Sequence, residues 1–108
     1  MSRHEKAIEE IQKGKKIIDM IEKEVQDEML KIETPEDKKR IEEKRHYELY
    51  MKMIINYNMG AEKEHMKLGE SACEYYRQGR KLAVAINNPY MIKKFDGILD
   101  KMVGVRWF

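Results

Sequence analysis

Two Glu-x-x-His spacings, Glu43 with His46 and Glu62 with His65, are the residues best suited to metal chemistry. On a helix this spacing puts carboxylate and imidazole on one face, and di-iron bundles use two such motifs on helices that face one another. Here both fall on one predicted helix, 19 residues apart. That is about 28 Å along the axis, too far to share an ion. The two histidines therefore read as surface or helix-packing residues, and no metal centre is expected. Cys73 lies near a predicted helix start, where the dipole lowers a thiol pKa. No His or Asp stands beside it in sequence, so it reads as a small buried hydrophobe. The tyrosines Tyr47, Tyr50, Tyr57, Tyr75, Tyr76 and Tyr90 recur at helical spacing, which fits a core better than a base-stacking platform. The basic residues near them, Arg77, Arg80 and Lys81, are interleaved with Glu70 and Glu74, so no continuous basic stripe forms. There is no Gly-rich phosphate loop, Ser/His/Asp constellation or zinc spacing. The sequence predicts no enzyme and no cofactor.

Composition sets the scaffold around these residues. The 108 residues are 39% charged and 42% hydrophobic, with only two prolines, which favours long amphipathic helices over a sheet. A chain of this length buries less of its surface than a larger domain, so apolar surface left over for a neighbour is expected. Up to Tyr50 there are 12 Lys/Arg against 14 Asp/Glu, and after it 10 against 6. The second half is mildly basic, and the net charge of +2 is too small to argue for nucleic acid. The single cysteine excludes an intrachain disulfide and fits a reducing compartment. No apolar run approaches the roughly 20 residues of a membrane span, and the N-terminus lacks a signal-peptide core. A cytoplasmic protein without a membrane partner is expected.

Four helices follow from caps, breakers and apolar spacing. Ser2 and Glu5 have capping-box spacing, and Ala7, Ile11, Gly14, Ile18, Ile21, Val25 and Ile32 then form one stripe, widened by Ile8, Ile17, Met20 and Met29. This predicts a helix over 3–32, stopped by Pro35. Thr34-Pro35 caps a second helix over 36–67. Its opening, EDKKRIEEKRH, has Ile41 as its lone apolar residue and is expected to project into solvent or lie along a partner. From Tyr47 onward it is apolar on two sides: Tyr47, Tyr50, Ile54, Tyr57 and Ala61 on one, Leu49, Met53 and Gly60 on the other. A helix apolar on two sides is sandwiched, so the second helix should lie between the first and third. The third, over 70–87, places Ala72, Tyr76, Gly79, Ala83 and Ile86 inward. Gly79 inside a helix costs about 1 kcal/mol relative to Ala, and a close helix crossing would compensate. Asn88-Pro89 caps the fourth, over 89–103, carrying Met91, Ile92, Phe95, Ile98, Leu99 and Met102. The apolar tail Val105-Arg106-Trp107-Phe108 either folds back on the core or forms a contact surface.

The stretch Asn56–Pro89 resembles one unit of the tetratricopeptide repeat (TPR) family. The family's Leu-Gly pair appears as Met59-Gly60. Its small residue opening the second helix falls on Ala72, twelve residues later, followed by the aromatic pair Tyr75-Tyr76 and by Gly79. The chain departs from the pattern at Lys63, where the family has an aromatic, at Asn56, its Trp-like position, at the late Gly69, and at the delayed Pro89. An internal echo supports repetition: Ala7–Ile17 aligns with Ala72–Leu82 at an offset of 65 residues. On that alignment the chain is a piece of a longer helical array that begins and ends in mid-repeat.

The resemblance implies an all-α fold of four antiparallel helices, in a solenoid or bundle, acting as a non-catalytic protein–protein interaction or scaffold module. By position, the family's concave binding face would comprise Ile54, Tyr57, Asn58, Ala61, Glu64 and His65. It would hold a protein or peptide partner. The carboxylate clamp found in one subset of the family is not reproduced, because Tyr57 and Ala61 stand where Lys and Asn belong. The Lys-, Met- and Ile-rich style is similar to TPR chains of cytoskeletal or ciliary assemblies. The alternative expectation is a structural one, a long hairpin of the first two helices that self-associates, as a homodimer or along another coiled coil.

Overall fold

A computed structural model describes residues 2–105, all in four α-helices and their short connections: α1 (Arg3–Met29), α2 (Pro35–His65), α3 (Gly69–Ala85) and α4 (Pro89–Val105). The tail residues 106–108, for which folding back or a contact surface was expected, lie outside the described residues, as does the side chain of Val105. The fold is all-α. Its helix order is antiparallel, with α2 packed between α1 and α3, and α4 against α3. Three of the four starts are capped by a local side-chain hydrogen bond, whereas α3 begins after Leu68 without one. Ser2 Oγ accepts from the Glu5 N–H while Glu5 reaches back to the Ser2 N–H, completing the capping box. Thr34 Oγ1 accepts from Asp37 N–H ahead of α2, and Asn88 Oδ1 from Met91 N–H ahead of α4.

α1 stops three residues short of the expected Ile32. The Leu30 and Lys31 N–H groups both turn to the Glu28 carbonyl, which closes the helix. Leu30 is 87% exposed and Ile32 41%, so no burial rewards another turn. The opening of α2, expected to project into solvent or lie along a partner, instead lies along α1 of its own chain. Ile41 is buried there, and Arg40 and Lys44 both reach Glu28. Farther along, Lys52 bridges Glu22 of α1 at 2.7 Å and the buried Glu48 of its own helix at 3.2 Å.

Between α2, α3 and α4 the helices interlock through glycine. A Cβ added at Gly60 would fall 2.6 Å from the Tyr76 ring, and one at Gly79 2.5 Å from the Phe95 ring. Both rings thus occupy space that only glycine leaves open. Met53, Ala72, Cys73, Ala83, Met91 and Met102 complete the buried core around them. Cys73 is buried, its Sγ 3.9 Å from Met102 Sδ, consistent with a packing role.

The two turns after α2 and α3 are the same object. Lys67 and Asn87 take left-handed φ angles of 61° and 56°. In each case the N–H of that residue returns to the helix (Lys67 to Glu64 O, Asn87 to Val84 O), and the following N–H reaches one residue farther back (Leu68 to Lys63 O, Asn88 to Ala83 O). This is the Schellman pattern.

We predict opposite effects for two helical glycines. Gly79→Leu drives side-chain atoms into the Phe95 ring and lowers stability by about 1–3 kcal/mol. Gly97→Ala, where an added Cβ meets nothing within 4 Å, raises it by about 0.5–1 kcal/mol through helix propensity. Urea unfolding followed by circular dichroism measures both; an unchanged midpoint for Gly79→Leu would remove the glycine interlock.

Candidate interaction surface

The six residues expected to form a binding face lie on one half of α2, but their side chains have three different engagements. Tyr57 is half-buried in an aromatic triangle, 6.2 Å from Tyr76 and 6.0 Å from Phe95, which themselves stand 6.3 Å apart. The rings are tilted or edge-on, the arrangement aromatic quadrupoles favour. Glu64 is also taken: it accepts a hydrogen bond from Tyr76 Oη at 2.9 Å. Ile54 and Asn58 instead line a groove between α2 and α1, together with Ile11, Gly14, Ile17, Ile18, Ile21, Tyr47, Met51 and Ile55. No charged side chain lines that groove. Ala61 is half-buried between these sets, and His65 is exposed at the end of α2.

His65 meets a residue that sequence reasoning did not connect with it. His4, at the start of α1, stacks on it with ring centroids 5.9 Å apart, and its Nδ1 lies 2.7 Å from Glu62 Oε2. This contact closes the end of the α1–α2 pair. Glu62 and His65 are therefore joined to another helix rather than to Glu43 and His46. Among the described residues, no group of three or more His, Cys, Asp or Glu side chains is placed to hold a metal ion.

Tyr90 and Lys94 of α4 extend the surface past Tyr57. The Lys94 ammonium sits 4.8 Å from the Tyr57 ring centroid and 5.9 Å from that of Tyr90. Tyr90 is 71% exposed. The i, i+4 spacing of Tyr90 and Lys94 was the available signal, since it puts both on one helix face. Their meeting with Tyr57 depends on how α4 packs, which no local spacing reveals. The outward face of α2 and this edge of α4 thus carry Tyr50, Tyr57, Asn58, Ala61, Tyr90 and Lys94, a mixed aromatic, polar and cationic surface without an acid–base pair.

Burial pushes the Tyr76 phenol well above its ordinary pKa, and the hydrogen bond to Glu64 pushes it further the same way. A raised pKa in the folded state means that the neutral phenol stabilises the fold below the unfolded value of about 10, and that this contribution is lost as pH rises above it. We predict that Tyr76→Phe lowers stability at pH 7 by about 1 kcal/mol, through loss of the bond to Glu64. Above pH 10 the variant should lose stability less steeply than the parent. Denaturant unfolding across pH 7–11 checks both; parallel profiles would show that Tyr76 is not the alkaline-sensitive group.

Comparison with known protein families, curated proteins and solved structures gives no match to this chain.

Proposed function

We propose that the chain is a non-catalytic protein–protein interaction or scaffold module of tetratricopeptide-repeat type, which holds a peptide or helix of a partner protein against α2 and α4. The observation that carries this reading is the Tyr57–Lys94–Tyr90 edge beside the outward face of α2. The exposed Tyr90 supplies contact area at little conformational cost, and Lys94, close to the Tyr57 and Tyr90 rings, adds a charge that favours acidic neighbours in the bound segment. The helix order supports the same reading, because α2 and α4 share a side across α3, as the first helices of successive repeat pairs do. Ile54, Asn58, Ala61 and His65 then form the floor and far rim of the surface, while Tyr57 and Glu64 support it from beneath. Cytoplasmic location, in a cytoskeletal or ciliary assembly, is the setting that the sequence style suggests. Among the described residues, no helix is long and apolar enough to cross a membrane.

Tyr57 and Glu64 both have internal partners, so replacing them mixes stability with binding. The cleaner test uses Tyr90 and Lys94. Selection of peptides from a displayed library on the intact chain should yield binders, and Tyr90→Ala/Lys94→Ala should weaken them about tenfold or more with the thermal midpoint essentially unchanged. Failure to select any peptide, or equal binding by the variant, would sink this surface assignment.

A further inference from the structure

The outer stripe of α1 carries apolar side chains that the fold leaves largely in solvent. Ile17 is 59% exposed and Met20 66%, although both extend the apolar pattern of the helix. They are flanked at helical spacing by Lys13 and Glu24, also exposed. Positions 13, 17, 20 and 24 fall within about 60° of arc, so they form one line of side chains reading cation, apolar, apolar, anion. The line faces away from α3, whose Tyr75 shares a pocket with Gln12 and Lys15 on the opposite edge of α1. Ile17 also lines the α1–α2 groove, which encloses about 260 Å³. At Gly14, on the same groove, an added Cβ would meet nothing within 4 Å.

We propose that this stripe is a homodimer interface, in which α1 of one chain packs antiparallel on α1 of a second copy about a two-fold axis between Ile17 and Met20. The charge order selects the occupant. A two-fold axis there sets Lys13 against Glu24 of the other copy and Ile17 against its Met20, twice over. Parallel pairing would set Lys13 on Lys13 and Glu24 on Glu24. Only the antiparallel copy turns the line into its own complement, as an isologous contact requires. Farther out, Glu10 would oppose Asp27 of the other copy. That repulsion favours two helices that cross at their centres over a zipper along their full length. Ile17 shares the α1–α2 groove with Ile54 and Asn58, but the interface uses neither Tyr90 nor Lys94 and does not depend on the α2–α4 surface.

Sedimentation equilibrium of the full chain from micromolar to submillimolar concentration tests the proposal. The mass should rise from 13.0 kDa towards twice that value. Glu24→Lys should weaken the dimer about tenfold or more, because two attractive contacts become repulsive. Lys13→Glu should do the same. The exchange Lys13→Glu/Glu24→Lys should restore the parent affinity to within about threefold. Ile17→Ser/Met20→Ser should leave a helical monomer, with helicity followed by circular dichroism. A parent that stays at 13.0 kDa throughout would overturn the proposal and leave the stripe to a different protein. So would a dimer indifferent to Glu24→Lys, or single variants that the exchange fails to rescue.

Discussion

The fold depends on two aromatic rings standing where two glycines leave room. Tyr76 fills the notch at Gly60 and Phe95 the notch at Gly79, so α3 is locked to the helix before it by its own ring and to the helix after it by its neighbour's. Tyr57 closes the set from α2 by touching both rings. A glycine within a helix costs about 1 kcal/mol in propensity, and two are accepted here because large rings bury fully only where the backbones come close. The surface on α2 and α4 inherits its geometry from this lock: Lys94 stands over Tyr57 because Phe95, next to it in the chain, is held against Gly79.

The α1–α2 arm is held differently. Charged groups set its register: Lys52 between Glu22 and Glu48, and Lys44 with Arg40 on Glu28. Burial alone would push the Lys52 pKa down, but its hydrogen bonds with Glu22 and Glu48 outweigh that and raise it. The ammonium therefore stays charged through the neutral range, as the nearly buried Glu48 requires. Polar registry of this kind specifies alignment more than it adds stability. Ile18, Val25 and Ile41 are buried in the arm beside these ion pairs, while Ile17 and Met20 remain in solvent.

Much of the scaffold is legible in the sequence because its causes are local. Ser2, Thr34 and Asn88 announce their helices through side-chain hydrogen bonds within three residues, and Gly79 signals a close approach before its neighbour is known. What fails is whatever depends on a partner distant in sequence. The stripe of α1 is visible as a period: Ile18 and Val25 on its line are buried, while Ile17 and Met20, which only widen it, are exposed, and how far α2 covers that width is not written in the spacing. Tyr57 and Glu64 share the outward-tilting half of α2 with Asn58, yet their engagement is decided by Tyr76 and Phe95 on other helices. His4 is the clearest case: nothing near it in the chain indicates Glu62 or His65, 58 and 61 residues away.

The repeated turn has a consequence for shape. α2 passes to α3, and α3 to α4, through the same backbone corner, with Lys67 and Asn87 in one left-handed conformation and identical returning hydrogen bonds. Equal corners start α3 and α4 in the same way, but they do not alone fix how the helices cross. The crossings are set by the rings that meet the glycines, Tyr76 at Gly60 and Phe95 at Gly79. The form of α2–α4 therefore rests on two corners and two contacts together, and neither pair would hold it without the other.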